Sequence, residues 1–322
     1  MKKQLLIIAY ITLFTIIAVS CKKSATITPI QPVTMTNYTM DNGLADNDVN
    51  AIAIDAQGNK WFGTMNGVSK FDGTNWTIYK KKDGLVDNHI WSIAIDSQGN
   101  KWFGTASGVS EFDGTKWTTY LTGNWVTAIA IDVQGNKWFG CRGSQAIGLS
   151  KFDGTNWTNY NTSDGLACDS VRSIVMDAQG NKWLGTDYGV SEFNGIKWTT
   201  YLSVIVVTQI AIDAQRNYWC TTMGSPLDGT NGGVDKFDGT TWTNYNKTNT
   251  NGGLNDNWVT AIAIDSQNGK WFGTSAGDIS KFDGTSWTNY TPVDDNITSI
   301  VIDTQGNKWM GTSASGVYEL KK

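Results

Sequence analysis

Apolar and polar positions alternate in short blocks that recur along most of the chain. One repeat reads V-x-A-I-A-I, then the polar run D-x-Q-G-N, then K-W-F-G-T, V-S-K-F and x-W-T-x-Y. Short apolar blocks that are rich in Val, Ile, Trp and Phe and bounded by Gly, Asn and Asp are typical of β-strands. Each repeat therefore predicts four short strands, a to d, joined by tight turns.

The tryptophans show that the repeat occurs seven times. The first Trp of the repeat stands at positions 61, 102, 138, 183, 219, 271 and 309, and the second at 76, 117, 157, 198, 242 and 287. The missing seventh strand d lies at the other end of the chain, where Met35-Thr36-Asn37-Tyr38 aligns with residues 157–160. This offset predicts a ring in which the N-terminal strand completes the last sheet. We therefore predict an all-β fold, a seven-bladed β-propeller over residues 34–322 with four antiparallel strands per blade.

The first 33 residues have a different character and predict a targeting signal and a tether. Two lysines precede an apolar run from Leu5 to Val19, which is too short to span a bilayer comfortably and is typical of an export signal. The run ends in A-V-S-C, which resembles the bacterial lipoprotein signal whose Cys becomes acylated. We expect residues 1–20 to be a signal peptide, Cys21 to carry lipid and residues 21–33 to form the tether. A plain signal peptide with an incidental Cys is the alternative.

Composition narrows the classes of function. The chain has 25 Lys+Arg, 29 Asp+Glu and a net charge of −4 with no basic run, which argues against nucleic acid as a partner. A single His, His89, leaves little material for acid–base catalysis or a His-based metal site. The recurring D-x-Q-G-N has too few carboxylates for a calcium loop, so we interpret it as a structural turn. We expect no cofactor, no metal and a monomer that meets the membrane only through its lipid.

Function is expected where the repeat varies. The d–a and b–c loops share one face of the propeller, and the residues that enter strand a differ most between copies. Strand a is innermost in a propeller, so these side chains should ring the mouth of the central channel, and three of them are the Trp residues outside the repeat columns. Aromatic faces beside Asn, Asp and Arg suit a sugar or another amphipathic small ligand, whereas covering the rim is the structural alternative. The candidate ligand-binding residues are Asp48, Asn50, His89, Trp91, Trp125, Arg172 and Trp258.

Two cysteines are predicted on this same face. Cys141 lies in a b–c loop and Cys168 in the d–a loop of the neighbouring blade. Because an exported protein meets oxidising conditions, we expect a disulfide between them if their separation permits one.

The units G-N-K-W-F-G-T-x-x-G-V-S-K-F-D resemble the two-component regulator propeller repeat over residues 38–322. This repeat is common in Bacteroidetes, where it forms sensor domains of hybrid histidine kinases. The resemblance implies ligand sensing in the periplasm, often of glycan fragments, with the signal passing through a partner because no kinase part follows Tyr318. In lipoproteins of this bacterial group, acidic residues after the Cys mark export to the surface. Lys22-Lys23-Ser24 lacks them and favours an outer-membrane protein that faces the periplasm, with surface exposure as the alternative.

We therefore expect a non-catalytic cell-envelope propeller that binds a glycan fragment, another small molecule or a protein partner on the face of the d–a and b–c loops. Two alternatives compete with this interpretation. The repeat also resembles the seven-bladed streptogramin lyases, which are metal-assisted and use a catalytic His, for which His89 would be the candidate. The second alternative is a pure scaffold that docks another envelope protein.

Overall fold

The computed structural model describes residues 27–31, 33–143, 146–203, 205–223, 232–290 and 293–322. The predicted signal peptide and Cys21 lie outside these residues. The described chain forms 29 strands and three 3₁₀ helices, Met40–Asn42, Lys81–Asp83 and Thr162–Asp164. None of these helices is long enough to cross a membrane.

Twenty-eight of the strands form seven four-stranded antiparallel sheets, the blades. The strands are given in the order a to d. Blade 1 is β3 (Val49–Ile54), β4 (Lys60–Thr64), β5 (Gly67–Phe71) and β6 (Trp76–Tyr79), and blade 2 is β7 (Ile90–Ile95), β8 (Lys101–Thr105), β9 (Gly108–Phe112) and β10 (Trp117–Tyr120). Blade 3 is β11 (Trp125–Ile131), β12 (Lys137–Arg142), β13 (Leu149–Phe152) and β14 (Trp157–Tyr160), and blade 4 is β15 (Val171–Met176), β16 (Lys182–Thr186), β17 (Gly189–Phe193) and β18 (Trp198–Tyr201). Blade 5 is β19 (Val206–Ile212), β20 (Tyr218–Met223), β21 (Gly233–Phe237) and β22 (Trp242–Tyr245), and blade 6 is β23 (Val259–Ile264), β24 (Lys270–Thr274), β25 (Ile279–Phe282) and β26 (Trp287–Tyr290). Blade 7 is β27 (Ile297–Ile302), β28 (Lys308–Thr312), β29 (Val317–Leu320) and β2 (Met35–Tyr38).

The N-terminal strand closes the ring. β2 pairs antiparallel with β29, so that Met35 lies opposite Leu320 and Tyr38 opposite Val317. The strands a of neighbouring blades contact one another around the whole ring, including β27 of blade 7 against β3 of blade 1. The predicted seven-bladed propeller, with its closure by the N-terminal strand, is thus confirmed.

One strand was not predicted from the sequence. β1 (Ile27–Gln31) lies within the expected tether and pairs parallel with β26 at the outer edge of blade 6. Pairing at a sheet edge is made by backbone groups, here at Ile27, Thr28 and Gln31, so the side-chain pattern of this segment gives no signal for it.

Each blade packs against two neighbours through adjacent residues of strand b. Trp61 and Phe62 are buried, and their side chains leave opposite faces of the sheet. Trp61 meets Phe103 of blade 2, with ring centres 6.1 Å apart, while Phe62 meets Trp309 of blade 7 at 6.0 Å. This repeated pairing builds a continuous apolar core around the ring.

The D-x-Q-G-N segments are structural turns. In blade 1, Oδ1 of Asp55 accepts the backbone N–H groups of Gln57 and Asn59, and Oδ2 accepts the indole Nε1–H of Trp61 at 2.9 Å. The carboxylate therefore closes its own turn and satisfies the buried indole of its own blade.

The d–a loops that precede blades 1, 2, 4 and 6 are longer than the others, and each is packed against the core. Each of these loops places one leucine in the interior, at 3% exposure or less: Leu44, Leu85, Leu166 and Leu254. In the first loop, Gly43 has φ +121° and lies so close to Trp76 that a Cβ would come within 2.7 Å of its ring. Glycine is required there both by the backbone conformation and by the packing.

Candidate functional site

Strand a of every blade, at the inner edge of the propeller, contains a β-bulge. The bulge leaves one residue of the strand without a partner on strand b. In blade 1, Val49 pairs with Thr64 and Ala51 with Gly63, so Asn50 has no partner across the strand pair. A bulge bends the strand and redirects the side chain of the extra residue. The same register shift recurs in all seven blades and defines the bulge positions, which are Asn50, Trp91, Thr127, Arg172, Thr208, Thr260 and Thr298.

At five of the seven bulge positions, the side chain ties its blade to the next one. Asn50 Nδ2 donates to the carbonyl of Ile90 at 3.1 Å, and Thr127 Oγ1 donates to that of Val171 at 2.6 Å. The other three links run from Thr208 to Val259, from Thr260 to Ile297 and from Thr298 to Val49. The acceptor is always the first paired residue of the neighbouring strand a. These five side chains therefore stabilise the propeller by linking neighbouring blades.

Trp91 and Arg172 are the two bulge residues that do not make this link. Trp91 instead contacts Trp125 of blade 3, with ring centres 5.3 Å apart and an angle of 49° between the rings. The Nε1 atoms of both indoles are buried and have no hydrogen-bond partner among the described residues. A buried N–H without a partner is costly, and no blade-linking bond offsets this cost at Trp91.

Two guanidinium groups and one carboxylate adjoin the tryptophan pair. Arg142 lies opposite Trp125 on the neighbouring strand, and its guanidinium sits 5.4 Å from the centre of the Trp125 ring. Its Nε is 3.8 Å from one oxygen of Asp187 in blade 4, while Nε of Arg172 donates to the other oxygen. Ser170 Oγ also donates to this carboxylate, at 2.7 Å. Trp91, Trp125, Arg142, Arg172 and Asp187 thus form one connected group across blades 2 to 4, which we call the rim cluster.

The rim cluster carries a net positive charge. Burial tends to raise the pKa of Asp187, but the hydrogen bonds from Ser170 and Arg172 and the charges of both arginines lower it overall. Burial and the charge of Arg172 lower the pKa of Arg142, but a guanidinium stays protonated in a protein. Two positive groups and one negative group leave a charge of +1. The side chains of Arg142, Arg172 and Asp187 are 30%, 18% and 29% exposed, so all three are accessible from solvent.

Asp48 lies in a separate, acidic part of the rim, in blade 1. Burial, together with the charges of Asp46 and Asp295, raises the pKa of Asp48 to about 6, against a smaller opposing effect of His89. Its backbone carbonyl accepts the N–H of Met65 in the b–c turn of its own blade. This contact places the d–a and b–c segments together on one face, as predicted.

Three further candidates have different surroundings. His89 is exposed, and its backbone N–H donates to Asp87 Oδ1 at 2.9 Å. Trp258 is 51% exposed on blade 6, and no described ring contact joins it to the two tryptophans of the rim cluster. Asn50 serves the link between blades 1 and 2. Within the described parts of the chain, no group of three or more His, Cys, Asp or Glu side chains is placed to hold a metal ion.

Arg142 and Asp187 were missed in the sequence, although a signal for them exists. Both come directly after the G-T or G-C of strand b, in a column that otherwise reads Met65, Ala106, Met223, Ser275 and Ser313. They are the charged residues of that column. Their importance depends on their contact with each other across two blades, which alignment of the repeats does not reveal.

The structure does not join Cys141 to Cys168. Both thiols are free, as is that of Cys220. Cys141 is fully buried beside Val126 in the core between blades 2 and 3, and burial raises its pKa to about 12. The sulfur of Cys168 instead accepts the backbone N–H of Ser170 at 3.4 Å. The expected disulfide is therefore corrected: one thiol is enclosed in the core and the other is occupied in its own loop.

Comparisons with known proteins agree on the repeat and on the fold. The family model described as "Two component regulator propeller" matches residues 84–107. The extracellular domain of BT3049, assigned to a hybrid two-component system of B. thetaiotaomicron, is 21% identical with a TM-score of 0.74, over 90% of this chain and 42% of that chain. The corresponding domain of BT4673 is 17% identical with a TM-score of 0.73, over 90% and 40%. Curated protein sequences give no significant match.

An enzyme also shares the fold. Virginiamycin B lyase from Staphylococcus aureus is 14% identical with a TM-score of 0.73, over 90% of this chain and 99% of that chain. Identities this low show a common fold, and the chain spans only about two fifths of the two extracellular-domain chains. The matched segment covers strands a and b of blade 2, which are part of the unit that recurs in every blade, so the chain is similar there to the two-component regulator propeller repeat.

Proposed function

We propose that the protein is a non-catalytic, ligand-binding propeller of the cell envelope. It binds a small amphipathic molecule, such as a glycan fragment, at the rim cluster on the face of the d–a and b–c loops. The likeness to extracellular domains assigned to two-component systems supports a sensing role, and these domains share more identity with the chain than the lyase does. The lipid on Cys21, attachment to the outer membrane and a partner protein that relays the signal belong to the same proposal.

The observation that supports this proposal is that the seven bulge residues fall into two groups with different contacts. Five of them hold the blades together, and the other two, Trp91 and Arg172, contact the further members of the rim cluster. A purely structural rim would use threonine or asparagine throughout, because these side chains make the link between blades. Departures from the repeat at one sector of a channel mouth are instead typical of a binding site.

The chemistry of the cluster suits a sugar ring. The rings of Trp91 and Trp125, which are in contact with each other, can pack against the C–H face of a pyranose. Arg142 and Arg172 supply donors for hydroxyl or carboxyl groups, and Asp187 supplies acceptors. Because Asp187 already holds both arginines, the site is organised before a ligand arrives, which lowers the entropy cost of binding.

A thermal-shift screen of the purified full chain against neutral and acidic oligosaccharides tests the proposal. At 100 times its dissociation constant, a ligand adds about 2.7 kcal/mol to the free energy of unfolding, which raises the melting temperature by several degrees. The double variant W91A/W125A should lose this shift, whereas Trp258→Ala, a matched change elsewhere on the rim, should keep it. If no oligosaccharide stabilises the protein, or if the double variant responds like the parent, the proposal fails.

A further inference from the structure

Resting on the proposed function, we infer that the rim cluster selects a ligand that carries a carboxylate next to an apolar ring face, namely a hexuronic acid residue of a glycan. The inference comes from the joint presence of two guanidinium groups, one carboxylate and two indoles within one contact network. It goes beyond general sugar binding because it assigns the charge of the ligand and the residues that recognise it.

The arginines have binding capacity that Asp187 does not use. Nε of Arg142 stands 3.8 Å from Asp187, beyond the ~2.7–3.2 Å of an ordinary N–H···O hydrogen bond. Arg172 directs its Nε to the same carboxylate. Each guanidinium has five N–H donors, so among the described residues Asp187 leaves most donors of this pair for a second anion. Guanidinium groups bind carboxylates in a paired geometry that neither a hydroxyl group nor a lysine reproduces.

The distribution of charge favours binding of an anion at the rim cluster and disfavours it at the acidic part of the rim around Asp48. The protein as a whole has a net charge of −4, and the rim near blade 1 carries Asp46 and Asp48 close to Asp295. The rim cluster, at +1, is a positive site on an acidic molecule. An anionic ligand is therefore attracted to blades 2 to 4 and repelled from the region around Asp48.

The tryptophan pair explains why a simple inorganic anion is not the preferred ligand. Trp91 and Trp125 lie at 49° to each other, so together they offer two aromatic surfaces at an angle. The guanidinium of Arg142 lies over the Trp125 ring, 5.4 Å from its centre, which places a positive group directly beside this aromatic pair. A pyranose with a carboxyl group on its ring can satisfy both features at once, whereas phosphate or sulfate can satisfy only the charge.

Matched pairs of oligosaccharides test the inference. Oligogalacturonides and other hexuronate oligomers are compared with their carboxyl-reduced counterparts, which differ only in having a hydroxymethyl group in place of each carboxylate. The dissociation constant for the full chain is measured by calorimetry at two salt concentrations. We expect at least one acidic member to bind roughly ten- to a hundredfold tighter than its neutral counterpart, with an affinity that falls as salt rises.

Three variants separate charge recognition from a structural effect. R142Q and R172Q should each weaken binding of the acidic member about tenfold or more and binding of the neutral member much less, because the lost positive charge acts mainly on the carboxylate. Asp187→Asn should have the opposite effect and tighten binding of the acidic member, because it removes the negative charge that competes for both arginines. A network that served only to hold the loops in place would lose affinity in all three variants.

The possible outcomes distinguish the inference from the function on which it rests. Equal or better binding of the neutral members overturns the inference but leaves sugar binding intact. Binding of an acidic peptide, with no response to any sugar, overturns the assigned ligand class. No response to any oligosaccharide overturns both proposals. Preference for the acidic member, with opposite effects of R172Q and D187N, supports the inference.

Discussion

The ring of Tyr218 stacks on the ring of Trp183 in the preceding blade, with ring centres 3.8 Å apart. Tyr218 holds a position that is lysine in the other six complete copies of strand b. Each of these lysines places its Nζ 4.4 to 5.2 Å from the Trp ring of the blade before it: Lys60, Lys101, Lys137, Lys182, Lys270 and Lys308. A ring of cation–π contacts therefore joins the blades, and one junction uses aromatic stacking instead.

Replacing Tyr218 tests how much this junction depends on the aromatic ring. The side chain is 9% exposed and its hydroxyl donates to Asp177 at 3.0 Å. We predict that Tyr218→Ala lowers the free energy of unfolding by about 3 kcal/mol, since it leaves a cavity over Trp183. Tyr218→Lys should cost much less, because the lysine can make the cation–π contact of the other blades. Denaturant unfolding of both variants checks this, and equal losses would contradict the proposed interchange.

A second prediction concerns the turn of blade 5. Arg216 occupies the place of a turn glycine and has φ +64°, a conformation that costs a non-glycine residue about 1 kcal/mol. Because its side chain is exposed, Arg216→Gly loses no core packing and should raise the melting temperature by one to a few degrees. Gly135→Arg is the matched control: its φ is +82°, no heavy atom lies within 4 Å of an added Cβ, and it should lower stability by a similar amount. A loss of stability on Arg216→Gly would refute the argument.

The fold could be predicted from the sequence because repetition supplies seven independent copies of the same evidence. The offset between Met35–Tyr38 and the incomplete last copy was enough to predict the closure. The bulge that isolates Trp91 and Arg172 could not be predicted, since it is a shift in pairing register rather than a change in residue type. The contact between Arg142 and Asp187 depends on how two blades approach each other, which no local pattern contains.

Acid should destabilise the propeller through its turn aspartates. In blade 1, burial tends to raise the pKa of Asp55, but hydrogen bonds from Trp61 and Asn59 lower it overall. The pKa is likewise lowered at Asp132, Asp177, Asp213, Asp265 and Asp303. A carboxyl group whose pKa is lower in the folded state than in the unfolded state binds fewer protons when folded. The stability it contributes is present above its unfolded pKa and is lost as the pH falls through the folded value.

We therefore predict that the melting temperature falls progressively as the pH drops below about 4 to 5. D55N and D132N should lower stability at pH 7, because the uncharged amide accepts the turn N–H groups less strongly. Each should also reduce the steepness of the acid transition. A melting temperature that is constant between pH 6 and pH 3 would contradict this account.

Asp48 should have the opposite dependence on pH. Its pKa is raised to about 6 by burial and by Asp46 and Asp295, so the folded state holds its proton more tightly than the unfolded state does. Stability from this group is present at low pH and is lost as the pH rises towards and through 6. Asp48→Asn should therefore raise the melting temperature more at pH 8 than at pH 4. Asp46→Asn, which removes one of the repelling charges, should give a smaller gain in the same direction.

Introducing the repeat's usual threonine at Trp91 and Arg172 tests whether these residues serve ligand binding or the stability of the fold. Trp91→Thr and Arg172→Thr introduce the residue that links blades elsewhere in the ring, so each should change the free energy of unfolding by no more than about 1 kcal/mol. Thr260→Val, which removes the link to Ile297, should instead lower it by about 1 kcal/mol. Ligand binding should be lost in the first two variants and retained in the third. If Trp91→Thr destabilises the protein as severely as Trp61→Thr, then Trp91 is a core residue and the rim cluster is structural.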